Sequence, residues 1–528
     1  MNTSLGTANR QIARGAGLVM AGFALNNLIG LARQMVVLNA FGTSAEMDAF
    51  LAANRVSETL FTLVAGGALA SAFIPTFTSL LVKDEQQRAW KLASAIANLI
   101  LLILTLAALF AAILAPLIVR YILAPGFATN PAQEALTVDL MRLMLPSTVL
   151  FGLSGLVIGI LNSKQIFFLP ALAPAMYQLG MIFGVLVLAP NLGIFGLAYG
   201  VLLGSALYLL IQLPTLVRLG GKYFPILGLK LPAVREVGRL MVPRLLGLAF
   251  VQLNFWVNTW LASRLSEGSY TGIVFAFTLM LMPQVLIAQS IAIAALPTFS
   301  AQFAQNKLNE MRSSLSSSLR SVMLLSLPAS LGLIILRQPL IELLYERGEF
   351  TSLSTQLVAW ALLWYAVGLV GHSVVEIMVR AFYAMHDTKT PVLIGVVAMS
   401  LNVIFSVLFV ALFSRWEWMP HGGLALANSL ATFLEMIALL YIMRGRLKGL
   451  EGRKVLIGFG KAVMAAFIMT LILVAWLNQT LNQPVWIIVI GGAAIGAGVY
   501  GVMVLALGVE EAKGLLSSTV NYVRRKLE

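Results

Sequence analysis

The chain reads as long apolar runs separated by short polar clusters. Each run reaches the roughly 18 residues that cross a hydrocarbon core of about 30 Å as a helix. The pattern predicts about fourteen spans, near 13–41, 49–80, 92–119, 136–161, 167–189, 193–217, 240–263, 270–300, 319–336, 355–384, 391–413, 423–443, 455–477 and 485–507. That is an all-α polytopic membrane protein. From Val509 the pattern changes: Ala512, Leu515, Leu516, Val520, Val523 and Leu527 share one helical face, followed on the chain by Arg524-Arg525-Lys526. Such a tail is expected to lie on an anionic leaflet, in contact with membrane phospholipids.

The pattern also repeats. Ala72-Phe73-Ile74-Pro75-Thr76-Phe77 returns 222 residues later as Ala294-Ala295-Leu296-Pro297-Thr298-Phe299. Pro116 is echoed by Pro339, Pro125-Gly126-Phe127 by Gly348-Glu349-Phe350, and Pro170 by Pro391. A period this long is no solenoid unit. It implies two homologous six-helix bundles, residues 1–218 and 219–444, followed by an unrepeated pair of spans and the tail in 445–528. Six spans per repeat make the two parallel, related by an axis along the membrane normal, with a shared site as in transporters.

Composition fits this reading: 59% of residues are hydrophobic and 11% charged, against about a quarter charged in soluble domains. The absence of cysteine excludes disulfides and thiolate chemistry. The net charge of +14 suggests a polyanion partner until the cations are placed. Twenty-five Lys and Arg fall in the termini and loops of one side; five (Arg120, Arg264, Arg337, Arg347, Arg415) fall on the other, and five within spans. This bias puts both termini in the cytoplasm and removes the need for nucleic acid. Arg10 and Arg14 precede a long apolar stretch without a compact cleavage region, so the first helix is expected to be retained.

No enzyme motif, metal spacing or phosphate loop is found, and no cofactor is expected. The small-residue stripe at 491–498 reads as close helix packing. Charge inside spans is the better lead, because it is costly unless it meets water or a partner. Gly22, Asn26, Gly30 and Arg33 share a face of span one, with Asn27 beside them; span two carries Asp48, Asn54, Arg55 and Glu58. Arg33 and Arg55 lie at similar depth, so one polar layer in a cavity is expected. Arg55 and Glu58 at i and i+3 could equally do no more than neutralise each other. Gln252, Asn254 and Asn258 bring three amides into span seven, as cavity groups or as glue between helices. Glu376 and Arg380 read as a structural i, i+4 pair, while Asn402 and Glu435 carry no assignment. The repeat offset maps Arg33, Arg55 and Glu58 onto Phe255, Phe277 and Met280, so the scaffold is duplicated and these charges are not.

Arg380-Ala381-Phe382-Tyr383-Ala384-Met385-His386-Asp387-Thr388-Lys389-Thr390-Pro391 closely resembles a signature of the MurJ/MviN lipid II flippases. Gly30-Leu31-Ala32-Arg33, Phe41-Gly42, Asp48-Ala49-Phe50 and Ala72-Phe73-Ile74-Pro75 resemble that family's first two helices, and Gln252, Asn254, Asn258 and Thr259 its seventh. The resemblance implies a non-enzymatic flippase of the bacterial cytoplasmic membrane. Its cargo would be the undecaprenyl-pyrophosphate-linked peptidoglycan precursor, moved from inner to outer leaflet by alternating access. It admits the cell-wall synthesis machinery as a partner. With the charges found inside the spans, it leads us to expect Arg33 and Arg55 at the pyrophosphate, Asp48 and Glu58 positioning them, Gln252, Asn254 and Asn258 bonding the sugar or peptide, and Asn26 and Asn27 beside the cargo. Spans thirteen and fourteen would line a groove for the polyprenyl tail. The chain departs from the family pattern at Asn26-Asn27, Gln34, Leu60-Phe61-Thr62, Gly66-Gly67 and Thr278, where cationic or acidic residues are usual. Three other readings stay open on sequence: a flippase for another polyprenyl-linked glycan, a drug exporter of the same superfamily, or a non-transporting paralogue.

Overall fold

A computed structural model of the chain describes residues 25–64, 68–509 and 511. The start of span one and nearly all of the tail therefore lie outside the described residues. Among the described residues all regular structure is helical, without a strand. The helices are α1 (25–41), α2 (Ala45–Val64), α3 (Ala68–Val82), α4 (Gln86–Ile113), α5 (Pro131–Ser163), α6 (Phe168–Leu192), α7 (Ile194–Arg218) and α8 (Pro232–Ala262). There follow α9 (Ser269–Ala304), α10 (Leu308–Tyr345), α11 (Ser352–Ala384), α12 (Lys389–Arg415), α13 (His421–Arg446), α14 (Gly452–Gln479) and α15 (Val485–Ala506). Eleven of these, α4 to α7 and α9 to α15, are long and apolar enough to cross a membrane. The expected spans in α1, in α2 with α3, and in α8 are not among the eleven.

α10 is the largest departure from the predicted boundaries. It starts at Leu308, where the Ser-rich stretch before 319 reads as loop. The reason is an amphipathic face: Met311, Leu315, Leu319 and Val322 recur at helical spacing. All four are buried in a core with Phe299 of α9, Ile377 and Phe382 of α11, and Leu439 and Met443 of α13. Intramembrane proline is expected to disturb helices, and in α9 a π-helical turn, Val285–Gln289, follows Pro283 closely.

The described residues form two compact units. One comprises the chain up to Gly268 together with Arg347–Phe350; the other comprises Ser269–Glu346 and the chain from Thr351. In the first, α8 packs on α2, α3 and α4. A core of Phe73, Phe77, Leu92, Ile96, Ile100, Leu156 and Ile160 also receives Val234 and Val237 of α8. α6 and α7 meet along glycines. A Cβ on Gly180 would stand 2.2 Å from the Gly204 Cα, and one on Gly184 2.6 Å from the Gly200 Cα. Lipid-embedded helices gain association energy from such close backbone approach, since apolar burial gives little drive between helices there.

Two echoed turns belong to this unit and serve the same purpose. Gly126 donates its N–H to Ser263 Oγ (3.2 Å) at the end of α8. Glu349 donates its N–H to Asn39 O (3.0 Å) near the end of α1. Each turn thus seats on a helix far from it in sequence, Gly126 on α8 and Glu349 on α1. A side chain is excluded at both glycines: a Cβ would lie 2.0 Å from Ser263 O at Gly126, and 2.4 Å from Asn39 O at Gly348, whose φ is +59°.

The link from α7 to α8 lacks regular structure, so its backbone groups need partners from elsewhere. α4 supplies them. Phe224 N–H donates to Ser94 Oγ (3.1 Å), and Asn98 Nδ2 donates to the carbonyls of Phe224 (3.2 Å) and Ile226 (2.9 Å). Tyr223 OH closes the arrangement on Asn98 Oδ1 (2.7 Å).

In the second unit the His386-Asp387-Thr388 turn joins α11 to α12. Asp387 Oδ1 accepts the N–H groups of Lys389 and Thr390, both at 3.0 Å. Its Oδ2 takes the Thr390 hydroxyl and the Arg446 guanidinium, each at 2.5 Å, while Arg446 also lies over the Phe382 ring. The signature motif is therefore a joint fastening this turn to the end of α13. Arg320 of α10 pairs with Glu511 and, at 4.0 Å, with Glu451.

Two predictions follow from this packing. Gly180→Ala forces the α6–α7 seam apart at a cost of about 1–3 kcal/mol. It should lower the thermal midpoint in detergent, whereas Gly460→Ala, with nothing within 4 Å of the added carbon, should not. At the joint, burial alone raises the Asp387 carboxyl, but the Thr390 and Arg446 contacts hold it down to about 2. A carboxyl depressed from an unfolded value of about 3.9 stabilises the fold above that value and loses the contribution as pH falls from about 4 to 2. Arg446→Ala should therefore flatten the acid limb of the unfolding midpoint over that window.

Candidate functional site

Ionised side chains within an apolar helical bundle need a partner or water, and α2 provides both within one turn. Glu58 Oε2 accepts from Arg55 (2.9 Å), and its Oε1 accepts from the Asn54 amide (2.9 Å). The two side chains differ in exposure: Arg55 is 16% accessible and Glu58 48%. The acid is thus the wetter member and the guanidinium the one enclosed. The Arg55 guanidinium lies 5.0 Å from the centre of the Phe255 ring of α8, a cation–π contact. Trp256 Nε1 donates to Thr59 Oγ1 (2.8 Å), which in turn donates to Arg55 O (2.7 Å). α8 is thereby fastened to α2 at the depth of the ion pair.

These groups open on a cavity of about 480 Å³ inside the first unit. α2 contributes Asn54, Arg55, Glu58 and Thr62; α6 contributes Tyr177 and Gln178; α8 contributes Gln252 and Phe255. Its apolar wall is a run of ring contacts: Phe151 meets Phe61 at 4.8 Å, Tyr177 at 5.0 Å and Tyr208 at 5.5 Å. Arg33 reaches the same region from α1. Its Nη1 is 3.4 Å from Met181 Sδ, and Tyr177 lies within the fields of both Arg33 and Glu58. Gly30 of α1 faces Gln178. Arg55 and Glu58 thus line a largely apolar space that also holds the amides of Asn54, Gln178 and Gln252, while Arg33 stands outside its lining, against Met181. The space suits an anion carrying a larger polar body, because charged donors strengthen hydrogen bonds to an anion.

The other predicted residues are spread more widely. Asp48 is buried, and its Oδ2 accepts from Gly268 N–H (2.8 Å), fastening the start of α2 to the link after α8. Ala45 N–H donates to Glu267 Oε1 (2.8 Å) at the same place. Asp48 does not line the cavity; Glu58 is the acid beside Arg55. Of the three amides of α8, Gln252 lines the cavity, while Asn258 donates along the helix to Asn254 at 3.4 Å. Asn27 is exposed, and Asn26 is partly buried one turn from Gly30.

In the second unit Glu376 and Arg380 form the expected pair at 2.9 Å. Asn402 Oδ1 accepts from Ser406 (3.2 Å), and Glu435 Oε1 lies against Gly395. Among the described residues no group of three or more His, Asp or Glu is arranged to hold a metal ion. Sequence reasoning missed Tyr177, Gln178 and Tyr208. Gln178 carried a usable signal, a lone amide in an apolar helix, but the two tyrosines could pass for interfacial anchors.

Comparison with known proteins places this geometry. Residues 37–491 match the family described as "Lipid II flippase MurJ". The chain is 31% identical over 438 residues to the "Lipid II flippase MurJ" of Burkholderia cenocepacia, covering 81% of this chain and 83% of that one. It is 29% identical over 523 residues to the "Probable lipid II flippase MurJ" of Vibrio cholerae, covering 95% and 97%. Among solved structures, a lipid II flippase MurJ in an inward closed conformation superposes with a TM-score of 0.78 at 24% identity, over 92% of this chain and 97% of that one. An inward-facing multidrug transporter of the MATE family shares the fold at 0.67 and 14% identity, over 81% and 96%. The extent of these matches, with the signature joint and the charged cavity, decides the family: this chain belongs to the lipid II flippase MurJ family.

Proposed function

We propose that the chain moves lipid II, the polyprenyl-pyrophosphate-linked peptidoglycan precursor, from the inner to the outer leaflet by alternating access, without chemical change to the cargo. Family membership supports this reading, and one observation carries it to named residues: the Arg55–Glu58 pair at the wall of the cavity. A pyrophosphate leaving the headgroup region needs fixed positive charge in a wet space. Arg55 is the enclosed member of the pair and Glu58 the exposed one, so a multiply charged anion competes with a single carboxylate for a guanidinium already held over Phe255. Arg33 is the second cation. Gln252, with Gln178 and Tyr177 added to the residues expected from sequence, serves the sugar or peptide. Asn26, Asn27, Asn254 and Asn258 serve the cargo more distantly, and Asp48 acts by fixing the start of α2.

The two repeats, 1–218 and 219–444, form the lobes of the cycle in this reading, with 445–528 as the added pair and tail. Both termini face the cytoplasm, as supported by the cation bias of the loops. The tail rests on inner-leaflet phospholipids, and the cell-wall synthesis machinery receives the flipped cargo.

The test is complementation in a bacterium depleted of its own lipid II flippase. The membrane-inserted wild type should restore growth. Losing a charged hydrogen bond of about 1.5–3 kcal/mol should cut transport roughly ten- to a hundred-fold in Arg55→Ala and Arg33→Ala, enough to lose growth at low expression. An inserted wild type that does not support growth refutes the substrate, and full growth of Arg55→Ala refutes the site.

A further inference from the structure

Tryptophan is unevenly distributed along the chain, and the second unit holds a concentration that the lipid site does not use. Four of the nine tryptophans, Trp360, Trp364, Trp416 and Trp418, fall between positions 360 and 418, all within that unit. The fold gathers them around the buried Phe413. Its ring centre is 5.2 Å from those of Trp364 and Trp418, 6.2 Å from Trp360 and 6.3 Å from Trp416. Trp360 meets Trp364 edge-on at 5.6 Å, and Trp416 meets Trp418 at 5.3 Å. Shifted back by the 222-residue period, the four positions are Val138, Arg142, Ile194 and Gly196. The cluster is therefore particular to the second repeat.

Local structure builds it. α12 ends at Arg415, and Glu417 takes a left-handed conformation with φ +58°. Trp418 N–H then donates back to Phe413 O at 2.9 Å, a closure common at helix C-termini. That closure folds Trp418 over Phe413. Gly422 of α13 clears room for the other pair: a Cβ there would lie 2.2 Å from Trp360 Nε1 and 2.9 Å from Trp364 Cδ1. Trp360 Nε1 donates to Met419 O at 2.9 Å. Trp364 Nε1 is buried and has no acceptor among the described residues, and its ring is stacked with Trp418 at 6.2 Å.

Exposure divides the cluster. Trp416 and Trp418 keep 51% and 43% of their surface open, and Arg415 and Glu417 beside them are also exposed. On the proposed orientation this turn is on the outer face. α12 has 27 residues; that is about 40 Å of helix against a hydrocarbon core of about 30 Å, so its ends reach past the acyl chains. An interfacial anchor needs one indole at that boundary, and Trp486 at the start of α15, 56% exposed, fits that part. Five packed rings with two open indoles exceed it. The open rim matches the chemistry of a sugar. A pyranose presents C–H groups on one face, which pack on an indole, and hydroxyls around its edge, which bond to charged groups beside the ring. Arg415 supplies donors and Glu417 acceptors, and a hydroxyl inserted beside Trp418 meets the Trp364 N–H. Acyl chains would leave both charges unmet, and a phosphate would leave the rings unused.

We propose that Trp416 and Trp418, flanked by Arg415 and Glu417 and backed by Phe413, form an outer-face carbohydrate site that holds the amino-sugar headgroup of the cargo once it has crossed. Its occupant arrives after the step served by Arg55. The site therefore acts on release, holding the flipped headgroup at the outer face against return.

The occupant rests on the flippase reading, and the test separates the two. The full chain, labelled with fluorotryptophan in nanodiscs, gives one fluorine resonance for each of its nine indoles. Trp416→Phe and Trp418→Phe assign the open pair, and Trp486→Phe assigns the lone anchor. The soluble probe is tetra-N-acetylchitotetraose. It should shift the Trp416 and Trp418 resonances saturably and leave that of Trp486 in place. Trp416→Ala should weaken this binding about two- to tenfold, the scale of one aromatic contact, while Trp486→Ala leaves it unchanged. The remaining resonances report that each variant keeps its fold. No saturable shift, or an equal shift at Trp486, refutes the carbohydrate site. Lipid II in the same nanodiscs should shift the same two resonances. A response to the tetrasaccharide without one to lipid II refutes the cargo as occupant. Both responses in a chain that fails the growth test refute the flippase reading alone.

Discussion

Hydrocarbon offers no hydrogen-bond partner and no screening, so each polar group on this chain must find its complement within the protein or in a wet recess. Helices answer this for the backbone. Between the helices, irregular backbone is satisfied by side chains instead. The irregular link between α7 and α8 is met by Ser94 and Asn98 of α4, and the turn between α11 and α12 by the carboxylate of Asp387. For side chains, the same demand places Glu58 beside Arg55 at the wall of a cavity and not on a lipid-facing surface.

The echoed positions carry polarity unequally: Arg33, Arg55 and Glu58 answer to Phe255, Phe277 and Met280 at the 222-residue offset. The two aromatic residues among them pack against polar side chains. Phe255, at the repeat position of Arg33, is the ring that carries the Arg55 guanidinium, and Phe277, at the position of Arg55, packs on His372. The guanidinium of Arg55 is thus supported by the aromatic residue at the echoed position of Arg33.

Much of this was legible in the sequence because period and hydropathy are local properties. Apolar runs gave the helices, and the echo gave the paired turns at Gly126 and Gly348. The Arg55–Glu58 contact followed from i, i+3 spacing. Features that depend on what faces what were not legible. The eleven residues before 319 looked like loop because serine hides an apolar face that only α9, α11 and α13 reveal. Asp48 looked like a cavity acid, yet its acceptor faces the Gly268 backbone, a partner 220 residues away. Gln252, Asn254 and Asn258 were indistinguishable by type, and only helix rotation separates the amide lining the cavity from the pair bonded along α8.

The seat of Glu349 on Asn39 sets an order of events during synthesis. The two residues are 310 positions apart. At about 5–20 residues per second, the end of α1 therefore waits roughly 15–60 s for its covering turn. Through that interval the first repeat is inserted but unfinished, and a ribosome that stalls after Gly268 leaves it so. Water at the exposed end of α1 serves that carbonyl until the α10–α11 turn emerges.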